Sequence, residues 1–257
     1  MGGYQETTSK NGFLLARFHP DGTPDTAFGQ EGSLVTDAGM LQEKAFCVTL
    51  QRNGRILAAG HSKHSDGSRA GRIVVMRFHP DGNTNSTFGT GGKMYLTAGA
   101  GDSSAEAIAV QNDDRIVLAG WARTGGHDAL CLARVLADGT PDSGFGTKGV
   151  ATTSLPYREL RARGMVLQPD GKIAVTGSAV SADPEGSSFL LARFEGHSSR
   201  EAWRIAHFGA PSNTGTTADF ADFDKDGVIN LLKYAFGLNP LQGGRCRCPS
   251  RKSRVEI

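Results

Sequence analysis

Three aspartates at alternate positions, Asp222, Asp224 and Asp226, run directly into Gly227 and form the densest set of chemically capable side chains in this sequence. Alternate carboxylates converge on one point when a glycine permits a sharp turn, and such an all-oxygen cluster suits calcium. Val228 would offer its carbonyl and Asn230 completes the pattern. The expected metal ligands are therefore Asp222, Asp224, Asp226, Val228 and Asn230. Counting Asp222 as position one, the twelfth position, which carries a bidentate glutamate in an EF-hand, holds Lys233. A lysine there removes two oxygens and adds a positive charge. The expected affinity is weak, with Asp219 or a water filling the gap. The plainer reading is a solvated acidic turn that caps a helix, with Asp226 at the positive end of the dipole.

Other reactive side chains are scattered. His61, His64 and Asp66 share one loop, Trp121 and His127 occupy the next, and Tyr157 and Glu159 follow. They match no known catalytic constellation, so the chain is expected not to be an enzyme. The alternative is a lyase or hydrolase whose site lies at the mouth of the fold's central axis. His19 and His79 recur before Pro-Asp-Gly, but Leu136 takes that place in the next copy, which favours a structural role. Cys47 and Cys131 lie in apolar runs and read as small buried hydrophobes. Cys246 and Cys248 are too close for the usual zinc spacing, and no second pair follows.

The elements that position these groups are repeats. RFHPDGTPDTAFGQEG from Arg17 returns as RFHPDGNTNSTFGTGG from Arg77 and RVLADGTPDSGFGTKG from Arg134. A fourth copy begins at Arg193 and breaks after Phe194. The intervals are 60, 57 and 59 residues, and a fixed period of this kind marks a repeat architecture. Each unit reads as four short strands with nearly continuous apolar runs. In the second unit they are Ala45 to Gln51, Arg55 to Gly60, Arg72 to Phe78 and Lys93 to Thr97. Asn53-Gly54 between the first two predicts a two-residue hairpin turn with both residues at positive φ. Asp113-Asp114 should make the weakest of the three equivalent turns. A sheet apolar on both faces must be covered on both, and stacking copies around an axis does so, as in a β-propeller. Phe28, Phe88 and Phe145, each opening a Phe-Gly-x-x-Gly, are expected to plug between blades, with the glycines turning the chain beside them.

The blocks Leu-Ala-Arg-Phe, x-x-Asp-Gly-Thr-x-Asp, Phe-Gly-x-x-Gly and Val-x-Leu-Gln-x-Asp-Gly-Lys-Ile-x-x-x-Gly resemble the delta-60 repeat family over residues 1–195. The resemblance implies a bacterial propeller-like repeat in an exported or surface protein, with no established enzyme activity. Residues 196–241, containing Trp-Arg-x-x-His-Phe-Gly and then the acidic loop, are similar to modules that end many exported bacterial proteins. Those modules are regarded as EF-hand-like or thrombospondin type 3-like calcium loops.

The expected fold is all-β: an incomplete propeller-like stack of about three four-stranded blades, with a short C-terminal loop and helix. Units fall near 1–44, 45–104, 105–160 and 161–195, followed by the calcium-loop module at 196–241 and a disordered basic tail at 242–257. Gly60, Gly120 and Gly177 are read as closing the second strands. That ruler places Met1 inside a second strand and yields about thirteen strands, fewer than a closed ring needs. The chain is thus expected to be a fragment or to close by pairing with another copy through open blade edges.

The functional expectation is a non-enzymatic scaffold or a protein- or glycan-binding surface. A non-functional remnant of a longer gene stays open beside it. Formal net charge is +2, but the last seventeen residues hold five basic groups and one acidic. The remainder is slightly acidic, which argues against nucleic acid. No apolar run is long enough to span a membrane, and the polar start, MGGYQETTSKNG, lacks the apolar core of a signal peptide.

Overall fold

A computed structural model of the chain describes residues 2–6, 11–36, 42–63, 70–153, 155–181, 186–197, 199–210, 213–235 and 237–242. His64, Asp66, Phe236, Cys246, Cys248 and the basic tail beyond 242 lie outside them. The chain divides into two compact units, Met1–Gly196 and His197–Ile257. Among the described residues no helix is long and apolar enough to cross a membrane.

The first unit is all-β and propeller-like, and its ring is incomplete. Its first blade comprises β1 (Gly2–Glu6), β2 (Asn11–Ala16) and β3 (Ser33–Thr36). The second comprises β4 (Gln42–Leu50), β5 (Ile56–Lys63), β6 (Arg72–Phe78) and β7 (Lys93–Leu96). The third comprises β8 (Ser103–Val110), β9 (Ile116–Thr124), β10 (His127–Val135) and β11 (Val150–Thr153). The last comprises β12 (Glu159–Leu167), β13 (Ile173–Val180) and β14 (Ser187–Phe194). Neighbours within each blade pair antiparallel. The described residues thus hold fourteen strands, because the first unit supplies three rather than two. Gly3 sits opposite Leu14 just as Gly60 sits opposite Val74, so the repeat ruler holds from the first strand onward.

Two local expectations are corrected. The β4–β5 turn is not a two-residue turn. Gln51 N–H donates to Arg55 O (2.8 Å), Gly54 N–H donates to Gln51 O (2.9 Å), and only Gly54 has positive φ. This is the three-residue hairpin, a tight turn followed by one left-handed residue. The side chains of Asn53, Asp113 and Asp170 set it by accepting from the N–H two residues on, at 3.1, 3.3 and 3.1 Å. Asp114 does carry the left-handed conformation, at φ 63°. The second correction concerns Gly60, Gly120 and Gly177, which lie inside β5, β9 and β13 and do not close them. Opposite each glycine the first strand of the blade bulges, between Ala45 and Cys47, Ala105 and Ala107, and Ala162 and Gly164. A Cβ on these glycines would stand 1.9, 1.9 and 2.0 Å from the carbonyl oxygens of Lys44, Ser104 and Arg161. Only glycine lets the bulge form.

Three apolar clusters fill the seams between successive blades. Phe13 and Leu15 pack against Val74, Met76 and Phe78; Ile73 and Val75 against Cys131, Ala133 and Val135; Leu130 and Leu132 against Leu190, Ala192 and Phe194. Phe28, Phe88 and Phe145 each belong to one of these clusters, as expected of plugs. Gly29 and Gly32, and their counterparts Gly89, Gly92, Gly146 and Gly149, all take positive φ.

The second unit contains α1 (Ser199–Phe208) and α2 (Asn230–Ala235), joined through a 3-10 turn at Gly215–Thr217 and the acidic loop. Trp203 of α1 meets Tyr234 of α2 edge-on at 5.8 Å between ring centroids, and Phe208 packs on Phe223 at 5.4 Å. Gly237 follows α2 at φ 65°, the left-handed conformation common just past a helix end.

Candidate functional site

The acidic loop brings Asp222, Asp224 and Asp226 together, with one carboxylate oxygen of each within 4.8 Å of the others. Its path is held by its own carboxylates. Asp222 Oδ2 accepts from Gly227 N–H (2.8 Å), and Asp226 Oδ1 accepts from Val228 N–H (2.8 Å). Gly227 turns at φ 88° and Lys225 at φ 58°. The three carboxylates could hold a metal ion, yet a cation of the chain already reaches them. Lys233, on α2 and only 1% exposed, hydrogen-bonds Asp224 and lies 3.1 Å from Asp226 Oδ1 and 3.9 Å from Asp222 Oδ1. Burial opposes the charge on Lys233, but hydrogen bonds and attraction from Asp224 and Asp226 outweigh it. Its pKa is held above that of an ordinary lysine.

Asn230 is buried and its amide nitrogen donates to the carbonyls of Thr216 and Ala218, both at 2.9 Å. It ties the 3-10 turn to the start of α2. Asp219 does not fill the gap left by the missing glutamate, because its carboxylate pairs with Arg204 of α1. Two buried oxygens, Asp224 Oδ2 and Asn230 Oδ1, accept no hydrogen bond from the described residues.

In the first unit the repeated polar residues form the joints between blades. Arg17 Nε donates to Asp25 (2.7 Å), its guanidinium lies over Phe28 (4.9 Å), and Nη1 reaches the Pro80 carbonyl of the next repeat. Arg77 repeats this with Asn85, Phe88 (4.7 Å) and Ala137 O (2.6 Å). Arg134 does so with Asp142, Phe145 (4.8 Å) and Gly196 O. Gly29 N–H and Gly89 N–H also donate to the Asp81 and Asp138 carbonyls of the following turns. His79 takes part in the second joint through Asn85 at 2.9 Å, and His19 stands 3.8 Å from Asp25 in the first. Both histidines thus stand at joints between blades.

Residues that differ from blade to blade gather at the bulges. Phe46, Glu106 and Arg163 are the extra residues of β4, β8 and β12, at the repeat spacing. Glu106 accepts from Trp121 Nε1 (3.2 Å) and from Arg163 (3.3 Å). Arg161 stacks on Trp121 at 4.7 Å and binds the buried Asp128 through Nε at 3.0 Å; Arg123 approaches the same carboxylate at 3.0 Å. Beside this network a cleft of about 570 Å³ is lined by Thr124, His127, Asp128, Leu155, Tyr157 and Arg158. His127 and Tyr157 therefore line one cleft. Glu159 lies 3.7 Å from both Arg158 and Arg161.

His61 is placed elsewhere, its Nδ1 2.9 Å from Ser103 O and its ring against Gly71, where a Cβ would clash. The bulge residues escape a reading of the sequence by strand pattern. The repeated mid-strand glycines are the signal for them, since a glycine kept at that register marks a close backbone approach.

A family model described as "Domain of unknown function (DUF5122) beta-propeller" matches residues 2–28, 51–88, 111–145 and 168–196. No curated protein matches the chain. Among solved structures, an endo-arabinase from Bacteroides thetaiotaomicron is similar, with a TM-score of 0.43 and 13% identity over 76% of this chain and 71% of that one. The four matched segments make up half of the chain, one in each blade of the first unit, and this protein belongs to the DUF5122 beta-propeller family.

Proposed function

We propose that this chain is a non-catalytic propeller module, displayed outside the cell, that recognises a glycan or protein partner. One observation carries the reading: the carboxylates best placed for chemistry are closed by cations of the chain itself. Glu106 is held by Arg163, Asp128 by Arg161 and Arg123, and the acidic loop by Lys233. A general acid or base needs a carboxyl group within reach of substrate, and glycoside hydrolysis needs two flanking the scissile bond. What the surface offers instead is the Trp121–Arg161 stack beside a shallow cleft with Tyr157 and His127. Aromatic faces bordered by polar groups suit sugar rings and exposed side chains. The extracellular setting rests on the resemblance of the repeats and the acidic loop to those of exported bacterial proteins.

Calcium belongs to this reading at the acidic loop. The all-oxygen set of Asp222, Asp224 and Asp226 suits a hard cation, and Asp224 Oδ2 and Asn230 Oδ1 accept no hydrogen bond from the described residues. Lys233 competes for the same carboxylates, so calcium binds weakly and must displace the ammonium.

Affinity electrophoresis of the full chain through gels containing a panel of polysaccharides tests the reading. We expect retardation by at least one polysaccharide, lost in Trp121→Ala and Tyr157→Ala, with no release of reducing ends. The presence of both His127 and Tyr157 in the lining of one cleft favours a second reading, an enzyme. Release of reducing ends that is abolished by Glu106→Gln or Asp128→Asn would establish it and overturn the first.

A further inference from the structure

The hexapeptide FLLARF occurs twice, at residues 13–18 and 189–194, with opposite exposure. In the first copy Phe13 and Leu15 are fully covered by the second blade; in the last, Phe189 is 78% and Leu191 68% exposed. The equivalent pairs, Ile73 with Val75 and Leu130 with Leu132, are covered by the blade that follows each. The front of the last blade is therefore an intact seam surface lacking its cover among the described residues.

The first blade shows the reverse. Phe18 is 48% exposed, whereas its counterparts Phe78 and Val135 are fully buried against the preceding blade. A Cβ at Gly82 would meet the Phe28 ring at 3.1 Å and one at Gly139 the Phe88 ring at 3.1 Å, while one at Gly22 would meet nothing within 4 Å. Among the described residues, the back of the first blade is an uncovered seat of the same design.

We propose that two copies of this chain join head to tail, the front of the last blade of each covering the back of the first blade of the other. The three internal seams say what covers such a front: the back of the next copy of the same repeat. Phe189 and Leu191 would pack on Leu14 and Phe18, as Ile73 and Val75 pack on Cys131, Ala133 and Val135. Arg193, which is exposed at the end of the fourth repeat, would donate to the Pro20 carbonyl, as Arg17, Arg77 and Arg134 donate to the equivalent carbonyls of Pro80, Ala137 and Gly196. The joint uses a different surface on each partner, and such joints either close into rings or run on as filaments. Two chains bring eight blades, within the range of about four to eight at which propellers close. The proposal is independent of which partner the cleft recognises.

Light scattering after size exclusion of the full chain tests it. The expected mass is twice the 27.1 kDa of one chain. Phe189→Asp with Leu191→Asp, and separately Phe18→Asp, change exposed side chains; each should run at one chain's mass with unaltered circular dichroism and melting. An equimolar mixture of the two variants should recover the double mass, because one intact front then meets one intact back. A wild-type mass that stays at one chain or climbs past two overturns the proposal. So does a double mass that survives both variants, or a mixture that stays at the mass of one chain.

Discussion

Lys233 Nζ lies 3.1 Å from Asp226 Oδ1 and also hydrogen-bonds Asp224, so the residue standing where an EF-hand has its glutamate points a positive charge into the carboxylates. The chain carries a cation of its own at the place where the spacing of the loop suggests a metal. Removing one member of a buried ionic cluster leaves the rest uncompensated, at a cost of about 3 kcal/mol. Lys233→Ala should therefore destabilise the second unit by roughly that amount, followed by the fluorescence of Trp203 in a Trp121→Phe background. The charge also gives a pH signature. The folded pKa of Lys233 is raised, so its contribution is complete below the unfolded lysine value of about 10.4 and lost as pH rises through the folded value. Alkaline titration should loosen the wild-type second unit and leave Lys233→Ala unaffected.

Gly22 and Gly82 separate backbone strain from blade packing. Gly22 has φ 85° and Gly82 φ 94°, so alanine is strained at either, but only at Gly82 would the new methyl meet the Phe28 ring. Gly82→Ala should cost about 1–3 kcal/mol more than Gly22→Ala in urea unfolding, the range for overpacking a filled site. Equal costs would show that Phe28 does not seat against the neighbouring turn.

Phe88 is fully buried in the seam between the second and third blades, beneath the Arg77 guanidinium. Phe88→Ala should destabilise the first unit by about 3–5 kcal/mol. Thr90→Ala, close by at an exposed position, should change stability by less than about 0.5 kcal/mol.

The two described cysteines should be chemically silent. Burial pushes the Cys131 thiol up to about 12; burial, with the Glu106 charge adding, does the same for Cys47. The thiolate is the reactive form, so neither should react with a disulfide reagent at about pH 8 until the chain unfolds. The measurement uses a Cys246→Ser, Cys248→Ser variant, and rapid labelling in the native state would contradict it.

Low pH should weaken the blade turns. Asp81 and Asp138 accept from the backbone N–H and then the side chain of Asn83 and Thr140, and both carboxyls are held below the usual range. Groups with lowered folded pKa values stabilise the fold above the unfolded value of about 3.9 and lose that contribution as pH falls through the folded values. Melting temperature should thus hold near neutral pH and decline below about pH 4.

The repeat ruler makes the blades legible in the sequence alone, because residues that serve a joint must recur at the joint's period. Arg17, Phe28, Gly29 and Gly32 and their counterparts announce the seams in this way. The bulges are less legible. Gly60 looks like a strand end by propensity, and only the carbonyl of Lys44 passing beneath it explains the missing side chain. The hairpin at Asn53 misleads for a similar reason: Asn-Gly favours a two-residue turn, but the asparagine side chain caps the N–H of Arg55 and stabilises the longer loop. In the second unit, spacing correctly gathers Asp222, Asp224 and Asp226. Lys233 reads as a missing ligand, yet one-dimensional spacing does not show that its ammonium turns inward. The pairing of Asp219 with Arg204 depends on α1, an element that the sequence pattern does not announce.

Calorimetric titration of calcium into the full chain, beside its Lys233→Gln and Lys233→Glu variants, tests most directly whether the chain's own cations close its carboxylates. We expect weak heat for the wild type, tighter binding for Lys233→Gln, and the tightest for Lys233→Glu, which restores a carboxylate at the twelfth position. Wild-type affinity equal to that of Lys233→Glu, or binding lost rather than gained when Lys233 is replaced, would contradict the placement of Lys233 as the resident cation of the loop.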